Sequence, residues 1–184
     1  MSLKKKIIIG VCSLALVAVV AITAVFAAQS FSATATATLQ FSVVDIKAKM
    51  VVSPGTSPAE ISPTTSSVTA NFGTITFSNA RETKTLNIKI YNIGSVAFKL
   101  GTAPTFAADD NLNFAYTYTH KGTSVTAANI VNEVCTGQSA TPSDYTKCDY
   151  IECIIKITIK DSAKTKVFSS KSLTTGTAGA LVAA

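Results

Sequence analysis

The chain has no tryptophan, one histidine and four cysteines in 184 residues, and only 10 of its side chains are carboxylates. Each scarcity removes a class of chemistry. A Ser-His-Asp or Cys-His hydrolase would have to be built on His120, the lone imidazole, which lies in the run Thr119-His120-Lys121-Gly122 and reads as an exposed turn residue. A blue-copper centre needs two histidines and a cysteine, so a single histidine excludes it. Cys135, Cys148 and Cys153 form no Cys-x-x-Cys pair and have no histidine partners, which leaves zinc unsupported. The scattered acids single out no facing pair for glycoside hydrolysis. There is no glycine-rich phosphate loop, no Asn-x-Ser/Thr acceptor and no LPxTG-like sorting signal. Asp109-Asp110-Asn111 lacks the spaced acids and the glycine of a dedicated calcium loop; a solvated turn is the default there, with calcium as the alternative. The expectation is a protein that is not an enzyme and carries no cofactor.

What is present begins with a leader. Lys4-Lys5-Lys6 precede an uncharged run from Ile7 to Ala28, and Val25-Phe26-Ala27 puts small residues at −3 and −1 of a cut between Ala27 and Ala28. Residues 1–27 are read first as a cleaved signal peptide. The apolar run, about 22 residues, is also long enough to span a bilayer if retained as an anchor. A type IV pilin leader, cut ahead of the apolar helix, is the third reading, and Ile7-Ile8-Ile9 after the lysines disfavours it. Cys12 sits too early in the run for a lipoprotein. All three main readings place the rest of the chain outside the cytoplasm, with membrane contact only through the leader before cleavage on the first. The formal charge is +6, and Lys4, Lys5 and Lys6 carry half of it; the other 13 cationic side chains face 10 acids with no basic run. Nucleic-acid binding gets no support from that balance.

The main signal lies at Phe31-Ser32-Ala33-Thr34-Ala35-Thr36-Ala37-Thr38-Leu39-Gln40-Phe41-Ser42-Val43, 13 positions of unbroken apolar/polar alternation. Period two predicts a strand with one buried and one wet face. At about 3.3 Å per residue it would run roughly 43 Å, more than twice the usual strand. Phe31, Leu39, Phe41 and Val43 are large anchors, and Ala33, Ala35 and Ala37 between them permit close approach. Burying the four large side chains contributes roughly 6–12 kcal/mol gross. At Val43-Val44 the alternation changes phase, since Ile46, Ala48 and Met50 are apolar at even positions. A bulge, a strand leaving one sheet for another, or the end of a donated segment would each produce that change.

Residues 53–67 hold Pro54, Gly55, Pro58 and Pro63 and read as a surface loop. Strands are then predicted over Phe72–Phe77, around Leu86–Ile90, Val96–Leu100, Leu112–Tyr118 and 150–160, with Ser124–Val134 a short strand or helical turn, and further segments at Lys166–Leu173 and Thr177–Ala184. Asn92-Ile93-Gly94-Ser95 predicts a turn with Gly94 at positive φ. Cys153 shares the phase of Ile151, Ile155, Ile157 and Ile159 and is expected as a buried thiol. Cys135 and Cys148 flank the polar loop Thr136–Lys147, and an exported loop of this kind predicts a Cys135–Cys148 disulfide contributing about 3 kcal/mol. The odd count leaves Cys153 able to replace either partner. No stretch shows helical periodicity, so residues 28–184 predict one all-β domain, a sandwich or jelly-roll-like fold.

The leader ending Phe26-Ala27-Ala28 and the amphipathic strand after it resemble the TasA-like biofilm fibre proteins and the related archaeal bundling pilins. So does the segment Lys84-Thr85-Leu86-Asn87-Ile88-Lys89-Ile90-Tyr91-Asn92-Ile93-Gly94-Ser95-Val96-Ala97-Phe98, a strand, an Asn-x-Gly-Ser turn and a returning strand. The resemblance implies a jelly-roll subunit lacking one strand, with the gap filled by the N-terminal strand of the next subunit. Residues 28–43 would then be the donor and 44–184 the β-sandwich domain of a head-to-tail homopolymer. Such a fibre would be extracellular, serving adhesion, bundling and biofilm matrix through lateral contacts between filaments. The residues leave another arrangement open, in which 31–43 is the first strand of the chain's own sheet. A membrane-anchored binding module, reading a carbohydrate or protein ligand with loops 53–67 and 136–147, is the rival function, and a type IV pilin the next.

Overall fold

A computed structural model describes residues 31–41, 46–57, 60, 67–79, 81–139, 142–163, 171–174 and 178–184. The leader 1–27, the Ala27–Ala28 junction, Val43 and the Val43-Val44 phase change lie outside the described residues, as do most of loop 53–67 and residues 164–170. The described chain is all-β, with ten strands and three single-turn 3₁₀ segments. In order the strands are β1 (Phe31–Phe41), β2 (Ala48–Ser53), β3 (Ser67–Phe77), β4 (Thr83–Asn92), β5 (Phe98–Leu100), β6 (Leu112–His120), β7 (Thr123–Val125), β8 (Tyr150–Ile159), β9 (Lys171–Thr174) and β10 (Ala178–Ala183).

Two five-stranded sheets result. The first runs β3-β1-β10-β5, with β9 also paired to β1, and the second runs β2-β4-β8-β6-β7. Their inward faces share one apolar cluster. Ala33, Ala35, Ala37, Phe72, Ile75, Phe77, Phe98 and Leu181 come from the first sheet, and Met50, Leu86, Ile88, Ile90, Ile151, Ile155 and Ile157 from the second. The second sheet is antiparallel throughout. Each isoleucine of β8 that points inward stabilises the fold by roughly 1.5–3 kcal/mol. Cys153 does lie in their phase and is buried with them.

The shift of hydrophobic phase has a structural counterpart. Ala33, Ala35 and Ala37 are buried at odd positions in the first sheet, whereas Ile46, Ala48, Met50 and Val52 are buried at even positions on the way into and along β2 of the second. Changing sheets reverses which side of the strand meets the core. A second shift was not visible in the sequence. Along β3 the buried residues are Ala70 and Phe72, then Ile75 and Phe77. The pairing to β1 slips where Ala35 faces Gly73 and Thr36 faces Asn71. Gly73 takes φ +74, and its N–H donates to the Asn71 side chain, 2.7 Å away, so a bulge absorbs the extra residue.

The expected turn at Asn92–Ser95 exists, but two details differ. The chain does not return beside β4: β5 belongs to the first sheet and pairs with β10, so this turn carries the chain across the core. Gly94 is not among the residues at positive φ. Its value lies in close approach, because a Cβ there would come within 2.9 Å of the Lys47 Cβ. Asn92 secures the crossing. It is fully buried, its amide donates to the Val96 and Cys135 carbonyls at 2.9 Å each, and its Oδ1 accepts the Gly94 N–H at 3.1 Å.

Candidate functional site

Two places stand out, an inner strand near the chain's start and a buried polar cluster beside a cleft. The first is β1. Its ladder to β3 is antiparallel from Phe31↔Phe77 to Gln40↔Ser67. Its other edge is occupied by parallel pairings, Ala33–Thr36 with Lys171–Thr174 and then Leu39 and Phe41 with Ala178 and Leu181. β1 is therefore an inner strand, held on both edges by segments remote in sequence. Ala33, Ala35 and Ala37 are buried, and Thr34 between them is exposed, as the alternation predicts. Phe31, Leu39 and Phe41 take part in the ladder through their backbones. In this single chain β1 fills a place in the chain's own sheet, which is the alternative arrangement left open by the residues.

The second place is the end of the second sheet. Lys121 and Gly122, at φ 50 and 81, form a two-residue hairpin turn between β6 and β7, with His120 paired to Thr123. Positive φ at both positions matches the twist of the flanking strands. His120, the last residue of β6, is not the exposed turn residue expected: its side chain is 17% exposed. Nδ1 lies 2.6 Å from Glu133 Oε2 and Nε2 lies 2.8 Å from Asp149 Oδ1. With an acceptor on each ring nitrogen, both contacts are donated only when the ring carries both protons.

Asp149 is buried just ahead of β8. Its Oδ2 accepts from the Thr136 N–H at 2.9 Å, the Thr136 hydroxyl at 2.7 Å and the Lys121 ammonium at 3.1 Å. Burial acts to raise this carboxyl, but the hydrogen bonds from Thr136, Lys121 and His120 outweigh it and hold the group below the usual carboxylate range. No stretch of sequence marks the cluster, because its members come from positions 120, 121, 133, 136 and 149 and meet only through the fold. Beside it opens a cleft of about 520 Å³ lined by His120, Lys121, Thr123, Ser124, Val125, Thr126, Asn129 and Glu133.

Cys153 is the buried free thiol expected, but Cys135 and Cys148 differ from expectation. Cys135, Cys148 and Cys153 are all free and buried, with no Cys135–Cys148 bond. Cys135 lies in the main core, its backbone bridged to Phe98, whereas Cys148 packs with Tyr91 and Ile93 on the outer side of the second sheet. The two thiols thus belong to separate apolar clusters. Burial pushes the Cys153 thiol up to about 12 and raises Cys135 and Cys148 as well.

Asp109 behaves as a turn cap. Its Oδ1 accepts the N–H groups of Asn111 and Leu112 at 2.7 and 3.1 Å, and the Lys160 ammonium sits 2.6 Å from its carbonyl oxygen. Among the described residues no three His, Cys, Asp or Glu side chains converge on a metal position. None of their helices is long and apolar enough to cross a membrane. No family model, curated protein or solved structure matches the chain.

Proposed function

We propose that the protein is the structural subunit of an extracellular filament, assembled when β1 of each copy enters the first sheet of the next and completes a jelly-roll-like sandwich. The observation that supports this most is the position of β1. A strand that follows the expected cleavage point Ala27–Ala28 is an inner strand, and its partners are β3 on one edge and residues 171–174, Ala178 and Leu181 on the other. After cleavage it would be joined to the rest of the subunit through residues 42–45 alone. Every ladder bond it makes in its own sheet can then be made in an identical neighbour, with no new interface chemistry. Exchange of this kind is heterologous, and a heterologous contact that does not close produces an open fibre.

The resemblance to the TasA-like fibre proteins and archaeal bundling pilins points the same way. Cell-surface location, adhesion and lateral bundling belong to this reading, with further copies of the chain as partners and neither enzymatic activity nor a cofactor required. Exposed Thr69, Thr74 and Thr76 on β3 and Thr117 on β6 would present hydroxyls with little charge repulsion between adjacent fibres.

The test uses the register. Ala33 and Ile75 are directly paired across β1 and β3 and both are buried. Ala33→Cys combined with Ile75→Cys should, in polymerised material under mild oxidation, yield a covalent ladder of dimers, trimers and higher species on non-reducing gels. Cross-linked monomers alone would show that β1 stays in its own subunit. That result favours the competing reading, a monomeric anchored binding module.

A further inference from the structure

We infer that the cleft between the β6–β7 hairpin and the Thr126–Glu133 segment is a binding site for a neutral sugar unit, a role independent of how β1 is placed. Its volume, about 520 Å³, falls within the usual range of small-ligand sites. The lining decides the ligand class. Val125 is the sole aliphatic side chain among the eight residues, so an apolar molecule would find little surface to bury.

The ionisable groups of the wall are already engaged with one another. Glu133 Oε2 faces His120 Nδ1, His120 Nε2 faces Asp149, and the Lys121 ammonium also sits on Asp149. What is left are the hydroxyls of Thr123 and Ser124, the Asn129 amide and the second oxygen of Glu133, with the Thr126 hydroxyl, which accepts the Asn129 N–H at 3.3 Å, still able to donate. These groups donate and accept in roughly equal measure, as the hydroxyls of a pyranose do. Val125 offers the small apolar surface on which the C–H face of such a ring can rest.

The wall is also oriented in depth. Glu133 is fixed by His120, His120 by Asp149, and Asp149 by both donors of Thr136. A carboxylate held three partners deep keeps its free oxygen in one direction, which fixed hydroxyl recognition requires and a surface glutamate does not. Lys121 adds a cation whose ammonium lies 3.1 Å from Asp149 Oδ2. His120 is here a positioning residue, while Glu133 and Asn129 are the groups expected to touch ligand.

Titration of the isotope-labelled full secreted chain with methyl α-mannoside, methyl β-glucoside, methyl β-galactoside and N-acetylglucosamine tests this, with galacturonate and n-hexanol as charged and apolar comparisons. Saturable shifts confined to the amides of residues 120–133, from at least one neutral sugar and from neither comparison ligand, are expected. Glu133→Gln and Asn129→Ala should each weaken that binding at least tenfold while the amides of β8 stay in place. Reduced oligosaccharides and the sugar-bearing polymer from the cell surface separate the sources: binding to the polymer without the methyl glycosides means internal units are read, and binding to both means single units are. Absence of any localised shift up to 50 mM of every neutral sugar and with the polymer overturns the assignment, as does binding that survives both substitutions unchanged (the concentration is about the upper end of a weak single-sugar titration).

Discussion

Replacing Asn92 by alanine should be among the costliest single changes to this fold. The side chain is fully buried and makes three hydrogen bonds, at 2.9, 2.9 and 3.1 Å, to the Val96 carbonyl, the Cys135 carbonyl and the Gly94 N–H. Alanine removes all three; the Cys135 carbonyl keeps the Phe98 N–H at 3.1 Å, while the Gly94 N–H and the Val96 carbonyl lose the side-chain partner. A net hydrogen bond contributes about 1 kcal/mol, and a stranded buried group costs about 1–3 kcal/mol. Allowing for partial relaxation, the loss should be about 3–5 kcal/mol, a large share of the 5–15 kcal/mol that holds a typical domain folded. For a chain of this size that lowers the thermal midpoint by about 6–20 °C. Asn92→Asp sharpens the test. It keeps an acceptor for the Gly94 N–H but sets a carboxylate oxygen against two carbonyls, so at neutral pH it should be at least as damaging as alanine. Urea unfolding followed by circular dichroism, with matched slopes, measures both variants. An alanine variant within about 1 kcal/mol of wild type, or an aspartate variant indistinguishable from it, would refute the claim that Asn92 secures the crossing between sheets.

Asp149 makes the fold sensitive to acid. Its carboxyl is depressed from the ordinary 3.8, so the folded state binds fewer protons; its stabilisation is complete above that value and is lost as pH falls through the lower folded value. Asp149→Asn should cost about 2–4 kcal/mol at pH 7 and flatten the stability profile below pH 4, and an unchanged acid limb would contradict it. The thiols should resist alkylation at pH 8 in the folded protein and react once it is unfolded in urea, because burial raises all three and closes them to reagent. Mass mapping of non-reduced peptides that found Cys135 joined to Cys148 would restore the disulfide expectation instead.

Much of the β architecture was legible because period-two alternation is a local property. The inward set Ile151, Cys153, Ile155, Ile157 and Ile159 could be read directly, and so could Ala33, Ala35 and Ala37. Features that depend on two distant segments could not. The bulge at Gly73 exists because β3 must stay in register with β1 while its own phase slips by one, and nothing near Gly73 announces a partner at Ala35. Val96–Leu100 reads as a hairpin return because short spacing favours one, yet buried Asn92 ties the turn to Cys135 and sends the strand to the other sheet. The His120 cluster was hidden for the same reason. A histidine beside a hairpin turn is ordinarily exposed, and the carboxylates that cover it lie 13 and 29 residues further along the chain. A buried aspartate directly before an isoleucine-rich strand was the one clue available, since burial without partners would be unaffordable.

The geometry of β1 also bears on how a filament of this kind would form. Five residue steps separate Phe41 from Ile46, a reach of at most about 18 Å, and packed sheets lie about 10 Å apart. The link is long enough to cross within one subunit, as the closed arrangement requires, and the proposed exchange would ask the same link to reach a neighbour instead. They share the same ladders, and the bulge opposite Ala35 and Thr36 pins the same register in each; a slip of one residue would turn the buried alanines outward. Local contact energy therefore does not choose between them. The choice falls to effective concentration and to history. A tethered strand competes at roughly millimolar effective concentration against its neighbours, and once closed it can leave only by breaking pairings on both edges. On the proposed reading, exchange would be easiest before the first sheet has closed, while exported chains emerge beside one another. For the proposed fibre this makes assembly coupled to export the favoured route, with spontaneous polymerisation of already folded monomers the slow one.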